Sequence, residues 1–233
     1  MLSTTFLALF LPLTLTIALP TDSNLQYRQN TAATPFTFIA ARSGSPIHLQ
    51  SINANNGDFW IGKPTLSYCI PEVPAGDCPP GTATALLVGD GRASMVRTMS
   101  LAASCYIVFP SRLRIFYKQG ADVPGGQDVY ISATNGALRF TEPHTEGGEN
   151  GTTTGFSYTN STDGGLGEFS FTGLNATGFV ACPSLNGTAP WQIFAALPNL
   201  GNKDVPGENV SACLGFDALG DTYENGAAAY QYE

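Results

Sequence analysis

Two histidines, His48 and His144, are the side chains of this chain best suited to proton transfer near neutral pH. His48 stands in "SPIHLQ" between Ile47 and Leu49, and His144 stands in "TEPHTEGGEN". If Ile47 and Leu49 point inward on a strand, His48 points to solvent, and His144 has the neighbours of a polar loop. A nucleophile for either would need a setting such as G-x-S-x-G, and the sequence has none. Glycoside hydrolysis needs two carboxylates at a set separation, and the 18 Asp and Glu residues mark no such pair. No catalytic residue is therefore assigned. H-E-x-x-H, paired C-x-x-C and EF-hand patterns are absent, so no metal ligand is assigned either. "GDGRAS" lacks the lysine of a phosphate-binding loop and reads as a turn, which leaves no cofactor. Trp60 and Trp191 remain as rings that could stack on sugar or fill a core.

The remaining informative residues concern export. "MLSTTFLALFLPLTLTIALP" is apolar, short for a membrane span, and has small residues at Thr16 and Ala18. It reads as a signal peptide over 1–18, followed by a polar, aperiodic lead-in over 19–34. No second long apolar run follows, so the mature form is not expected in a membrane. Five sequons agree with a secretory route: Asn150, Asn160, Asn175, Asn186 and Asn209. They belong on surface turns, and at least two are expected to carry sugar. The five cysteines leave at least one unpaired in an oxidising compartment. Cys105 sits in the apolar run "SCYIVF", a setting for a buried thiol. Cys69 and Cys78 flank "IPEVPAGD", and Cys182 with Cys213 would close a longer loop, although spacing alone does not fix the pairing.

Composition bounds the fold and the partners. The 233 residues carry a net charge of -8, which disfavours nucleic acid as a partner. From Glu142 to Glu233 the only cation is Lys203, while Arg92, Arg97, Arg112, Arg114 and Lys118 form a basic stretch that reads as a surface stripe. Nothing in the sequence sets an oligomeric state. Charged residues make up only 12%, and 26 glycines mark many turns. Phe36 with Phe38 and Ile47 with Leu49 alternate as strands do, and Asn55-Asn56-Gly57-Asp58 is a turn before Phe59, Trp60 and Ile61. "ATALLVGDGRASMV" reads as strand, turn, strand, and "SCYIVF" and "LRIFYK" as two apolar runs. "DVYISATNGALRF" reads as a hairpin with Asn135-Gly136 as a two-residue turn. "TGFSYTN", "GEFSFTG", "GFVACP" and "WQIFAAL" add a strand each, and no window shows helical periodicity. The expectation is one all-β domain over 35–233 with about a dozen short strands.

Read together, "FTFIAARSGSPIHLQSINANNGDFWIG", "QDVYISATNGALRFT", "FSFTG…GFVACP" and "WQIFAALPNLG…C" resemble the fungal PhiA-type secreted cell-wall proteins. The likeness runs from about Phe36 to the end, and "FVACP" and W-x-I-F are its most specific parts. More loosely, the C-terminal half resembles the cysteine-containing domain of yeast PIR wall proteins. The segment from Thr82 to Gly126 and the loops of "TEGGENGTTTGFSYTNSTDGG" are longer than the family pattern. The resemblance implies a non-catalytic extracellular wall protein tied to wall integrity and to spore-bearing cells, of a kind also met as IgE-binding mould antigens. The fold expected is a compact β-barrel of trefoil type, with a β-sandwich as the alternative. Wall polysaccharide is the candidate partner, and a carbohydrate-binding module for glucan or chitin is the alternative function.

Overall fold

The structure is a computed structural model that describes residues 34–74, 76–95, 97–99, 117–119, 121–145, 151–161, 163–184 and 188–233, with the backbone alone at 97–99 and 117–119. The expected signal segment, nearly all of the expected lead-in, Cys105, "SCYIVF", most of "LRIFYK", Asn150 and Asn186 lie outside the described residues.

Among the described residues there is no α-helix. The strands are β1 (Phe36–Ala41), β2 (Gln50–Asn55), β3 (Asp58–Ile61), β4 (Ser67–Tyr68), β5 (Leu87–Gly89), β6 (Arg92–Met95), β7 (Arg97–Met99), β8 (Tyr117–Gln119), β9 (Gln127–Ser132), β10 (Leu138–Phe140), β11 (Gly151–Thr152), β12 (Phe156–Thr159), β13 (Gly167–Phe171), β14 (Phe179–Pro183), β15 (Trp191–Ala195), β16 (Leu214–Thr222) and β17 (Gln231–Tyr232). Six of them close a ring in the order β1, β2, β3, β15, β14, β16 and back to β1, every pair antiparallel. This barrel with extra strands meets the barrel expectation rather than the sandwich. Closure removes the free edges that an open sheet would expose.

Alternation explains why these segments close inward. In β1 Phe36, Phe38 and Ala40 are buried while Thr37, Ile39 and Ala41 are not, and β3 buries Phe59 and Ile61 in the same way. Aromatic rings then run through the interior as Tyr232, Phe140, Phe59, Phe38, Phe169, Phe179 and Phe216, with successive centroids 5.3 to 6.4 Å apart. Each such fully buried ring contributes about 1.5–3 kcal/mol from burial, and ring pairs add about 0.5–1.5 kcal/mol.

Two strands do double duty. β16 pairs with β14 through Leu214–Phe216 and with β13 through Ala218–Gly220, while its other edge pairs with β1. β3 pairs with β15 through Trp60 and Ile61 and with β10 through Asp58. From β3 the outer sheet continues through β10, β9, β6 and β5. Where β13 meets β16, Gly167 is paired with Gly220, and the Tyr158 ring lies across both. A Cβ on Gly220 would fall 2.6 Å from Tyr158 and 2.8 Å from Phe36, whose rings stack at 3.8 Å.

Three readings of local structure are corrected. Ile47 and Leu49 do not share a strand face. Residues 45–49 form turns, with Ile47 buried and Leu49 exposed at φ 59, and β2 starts only at Gln50. Asn135-Gly136 is not a two-residue turn. Ser132 donates its N–H to Ala137, and Gly136 donates to the Ser132 carbonyl, so a four-residue loop ends on Gly136 at φ 74. β16, the longest strand among the described residues, stands where the sequence pattern gives no strand.

Outside the barrel, β15 buries its outer face as well. Phe194, Cys182, Ala137 and Val205 form a second small core beneath the 196–213 segment. The Cys182–Cys213 disulfide ties that segment down, and Cys69–Cys78 closes a shorter loop after β4. The C-terminal β17 pairs with β4.

Candidate functional site

Strand register places one row of polar side chains on the outward face of the outer sheet. Asp58 of β3 is opposite Arg139 of β10, and Arg139 is opposite Tyr130 of β9. Asp58 comes directly after the Asn56–Gly57 turn, whose φ values of 52 and 75 suit Asn and Gly. Arg139 Nε lies 2.9 Å from Asp58 Oδ1. Burial raises the Asp58 pKa above the ordinary carboxylate value, against the opposing pull of Arg139, Gln192 and Lys63. Tyr130 is half-buried because its ring leans on Gly151 of β11, where a Cβ would fall 2.5 Å from Tyr130 Cδ2.

Arg139 and Tyr130 of this row line an open groove of about 1120 Å³, whose lining also includes Asn56, Glu142, Gln231 and Glu233. The far wall is held by a buried glutamine. Gln127 Nε2 donates to the carbonyls of Thr141 (2.9 Å) and Tyr232 (3.0 Å), and its Oε1 accepts from the Tyr232 N–H (2.8 Å). The Tyr232 hydroxyl accepts from Ala85 N–H and donates to the Ala83 carbonyl, and burial pushes that phenol far above its usual pKa. Glu142 and Glu233 are exposed, so neither has the apolar setting that makes a general acid. What the groove offers is a phenol, a guanidinium, an amide and carboxylates, a set suited to hydroxyl-rich ligands.

A second cleft of about 550 Å³ lies beside β1 and β16, with Arg42, His48, Thr177 and Asp217 around Phe179 and Phe216. Here His48 is half-buried, and its Nδ1 accepts the Arg42 backbone N–H at 3.2 Å. Arg42 in turn donates Nη1 to the Gly215 carbonyl at 2.6 Å. His48 therefore closes its own turn rather than pointing freely to solvent, because the turn at 45–49 replaces the expected strand. His144 is exposed at φ 62 in the turn after β10 and borders Gly125. The structure does not bring the two histidines into one cleft.

The tryptophans also separate. Trp191 is buried in the core, while Trp60 is half-buried, with Lys63 Nζ 3.3 Å from its ring centroid and its Nε1 donating to the Asn55 carbonyl. They form no shared platform. The described sequon asparagines Asn160, Asn175 and Asn209 are all exposed. Asn209 Oδ1 accepts from the Ser211 N–H and hydroxyl. Among the described residues no group of three His, Cys, Asp or Glu could hold a metal ion.

A family model described as PhiA-like secreted protein matches residues 36–233, the whole barrel with its outer sheet. The chain belongs to the PhiA-like secreted protein family. A protein of Arthroderma benhamiae (strain ATCC MYA-4681 / CBS 112371), described as an uncharacterized secreted protein, is 32% identical over 176 residues, covering 75% of this chain and 73% of that protein. No solved structure matches. As a PhiA-like protein the chain is secreted, which fits its two disulfides.

Tyr130, Arg139 and Asp58 were not singled out from the sequence. The hairpin "DVYISATNGALRF" contains both Tyr130 and Arg139, so their pairing was readable once the loop length was right. Asp58 joins them only through the β3–β10 contact.

Proposed function

We propose that this PhiA-like protein is a non-catalytic, N-glycosylated component of the fungal cell wall that contributes to wall integrity and to development of spore-bearing cells. The observation that carries this reading is the placement of the glycan acceptors. Asn160, Asn175 and Asn209 are exposed between the strands of a body cross-linked by two disulfides. Such a body suits a permanent place in a hydrated polymer matrix. His48 spends Nδ1 on its own turn, which favours a structural role for it. The test is fractionation of the producing fungus into medium, detergent-extractable wall and glucanase-released wall, with the protein followed before and after glycosidase treatment. Glycosylated protein in the wall fractions, and a deletion strain sensitive to wall-binding dyes, are expected. Recovery from the medium alone, with a normal wall in the deletion strain, overturns the reading.

A second reading is a carbohydrate-binding module for wall glucan or chitin. The observation in its favour is the open groove beside Tyr130 and Arg139.

A further inference from the structure

We propose that the groove along Arg139 and Tyr130 is a saccharide site that takes neutral, gluco-configured, β-linked oligosaccharides; this rests on the carbohydrate-binding reading and gives it a site. The row is built by backbone register, so its spacing is fixed by the sheet and not by mobile loops. Tyr130 is the platform. Gly151 supports one side of the ring, which limits its freedom and leaves less entropy to lose on binding. A pyranose whose hydroxyls are all equatorial has a flat C–H face that can lie on such a ring.

Arg139 supplies donors next to that ring. Its guanidinium lies 2.9 Å from Asp58, so its charge is partly answered. The groove is therefore no anion trap, and Glu142 and Glu233 on its border repel uronates and phosphates. Those carboxylates and Asn56 complement the sugar instead as acceptors for hydroxyl groups. Asn56 lies at the turn that delivers Asp58, so the same short segment sets both. An axial hydroxyl, as in mannose, interrupts the stacking face and weakens the contact.

The experiment is a calorimetric titration of the mature, disulfide-bonded protein with a β-1,3-linked glucohexaose, a β-1,4-linked N-acetylglucosamine hexamer, a mannohexaose and an oligogalacturonate. The expected result is binding of one or both gluco-configured hexamers, at least tenfold tighter than mannohexaose, and none of oligogalacturonate. Tyr130→Ala is expected to weaken binding at least tenfold, and Tyr130→Phe to stay within threefold. Tyr68→Ala, at an exposed tyrosine that does not line the groove, is expected to leave binding unchanged. Should Tyr130→Ala fail to fold, ring-labelled tyrosine in the unsubstituted protein provides the readout, and the Tyr130 resonance shifts on binding. No binding of either gluco-configured hexamer at millimolar concentration overturns the proposal. So does an unmoved Tyr130 resonance, undiminished affinity in a folded Tyr130→Ala protein, or uronate binding as tight as glucan binding. Binding of a gluco-configured hexamer that leaves Tyr130 unmoved removes this site while the carbohydrate-binding reading stands.

Discussion

Removing the Cys182–Cys213 link is expected to cost more stability than removing Cys69–Cys78, and the structure says by how much. The two pairs close loops with sequence separations of 31 and 9. In the chain-entropy model these lengths correspond to about 3.7 and about 2.6 kcal/mol at 25 °C. A second effect widens the gap. Cys182 is fully buried in the small core with Phe194 and Val205, whereas Cys69 and Cys78 are half-buried beside solvent. Alanine at 182 and 213 then loses packing worth roughly 1 kcal/mol, and alanine at 69 and 78 loses little. For a domain of this size each kcal/mol moves the melting temperature by about 2–4 °C. The Cys182→Ala/Cys213→Ala protein should therefore melt about 9–19 °C below the parent, and the Cys69→Ala/Cys78→Ala protein about 5–10 °C below. The assay is thermal unfolding by circular dichroism on both double variants, in the same buffer and at the same scan rate. Equal melting temperatures, or the reverse order, would refute the assignment of the 196–213 segment as a strap over β14 and β15.

Two further outcomes follow from the packing. Gly220→Ala places a Cβ within 2.6 Å of Tyr158 and 2.8 Å of Phe36, so it should destabilise by about 1–3 kcal/mol, read by urea unfolding; a neutral result would mean the ring stack is not held as described. Tyr232→Phe removes the hydroxyl that accepts from the buried Ala85 N–H at 3.0 Å and should cost about 1–3 kcal/mol, with faster amide exchange at Ala85; unchanged exchange there would contradict the bond.

The sequence revealed much of the strand content but not the closure. β1, β3 and β12 to β15 were legible because Phe, Tyr, Ile and Val mark them and polar residues separate them. β16 was hidden by its composition. "LGFDALGDT" does alternate, with Phe216, Ala218 and Gly220 buried, but its Gly and Asp residues lower its strand propensity. Those glycines serve the fold, since Gly220 makes room for the rings of Tyr158 and Phe36. The hairpin after β9 failed for a different reason. Asn-Gly suits a tight turn, yet a two-residue turn there would set Arg139 opposite Ser132. The loop found instead sets Arg139 opposite Tyr130, and lets Ala137 bridge Phe194 in the second core. Loop length was decided by a tertiary contact, which local turn chemistry cannot report.

The groove row depends on β3 being shared. At its C-terminal end Trp60 and Ile61 pair with β15 and belong to the barrel, and at its N-terminal end Asp58 pairs with β10 and belongs to the outer sheet. One strand cannot follow two sheets without their diverging beyond the branch. Gln192, opposite Trp60 on β15, favours the ionised form of Asp58 from the barrel side of the branch. Asp58 thus stands on a barrel strand and is paired with Arg139 of the outer sheet. Burial raises its pKa, and Arg139 and Gln192 oppose that rise. The carboxylate beside Arg139 therefore stands on a strand that the barrel holds on both edges. A saccharide lying along Arg139 and Tyr130 would meet groups set by the register of a sheet that grows from the barrel strand β3, which gives a protein with few charged residues an ordered polar surface.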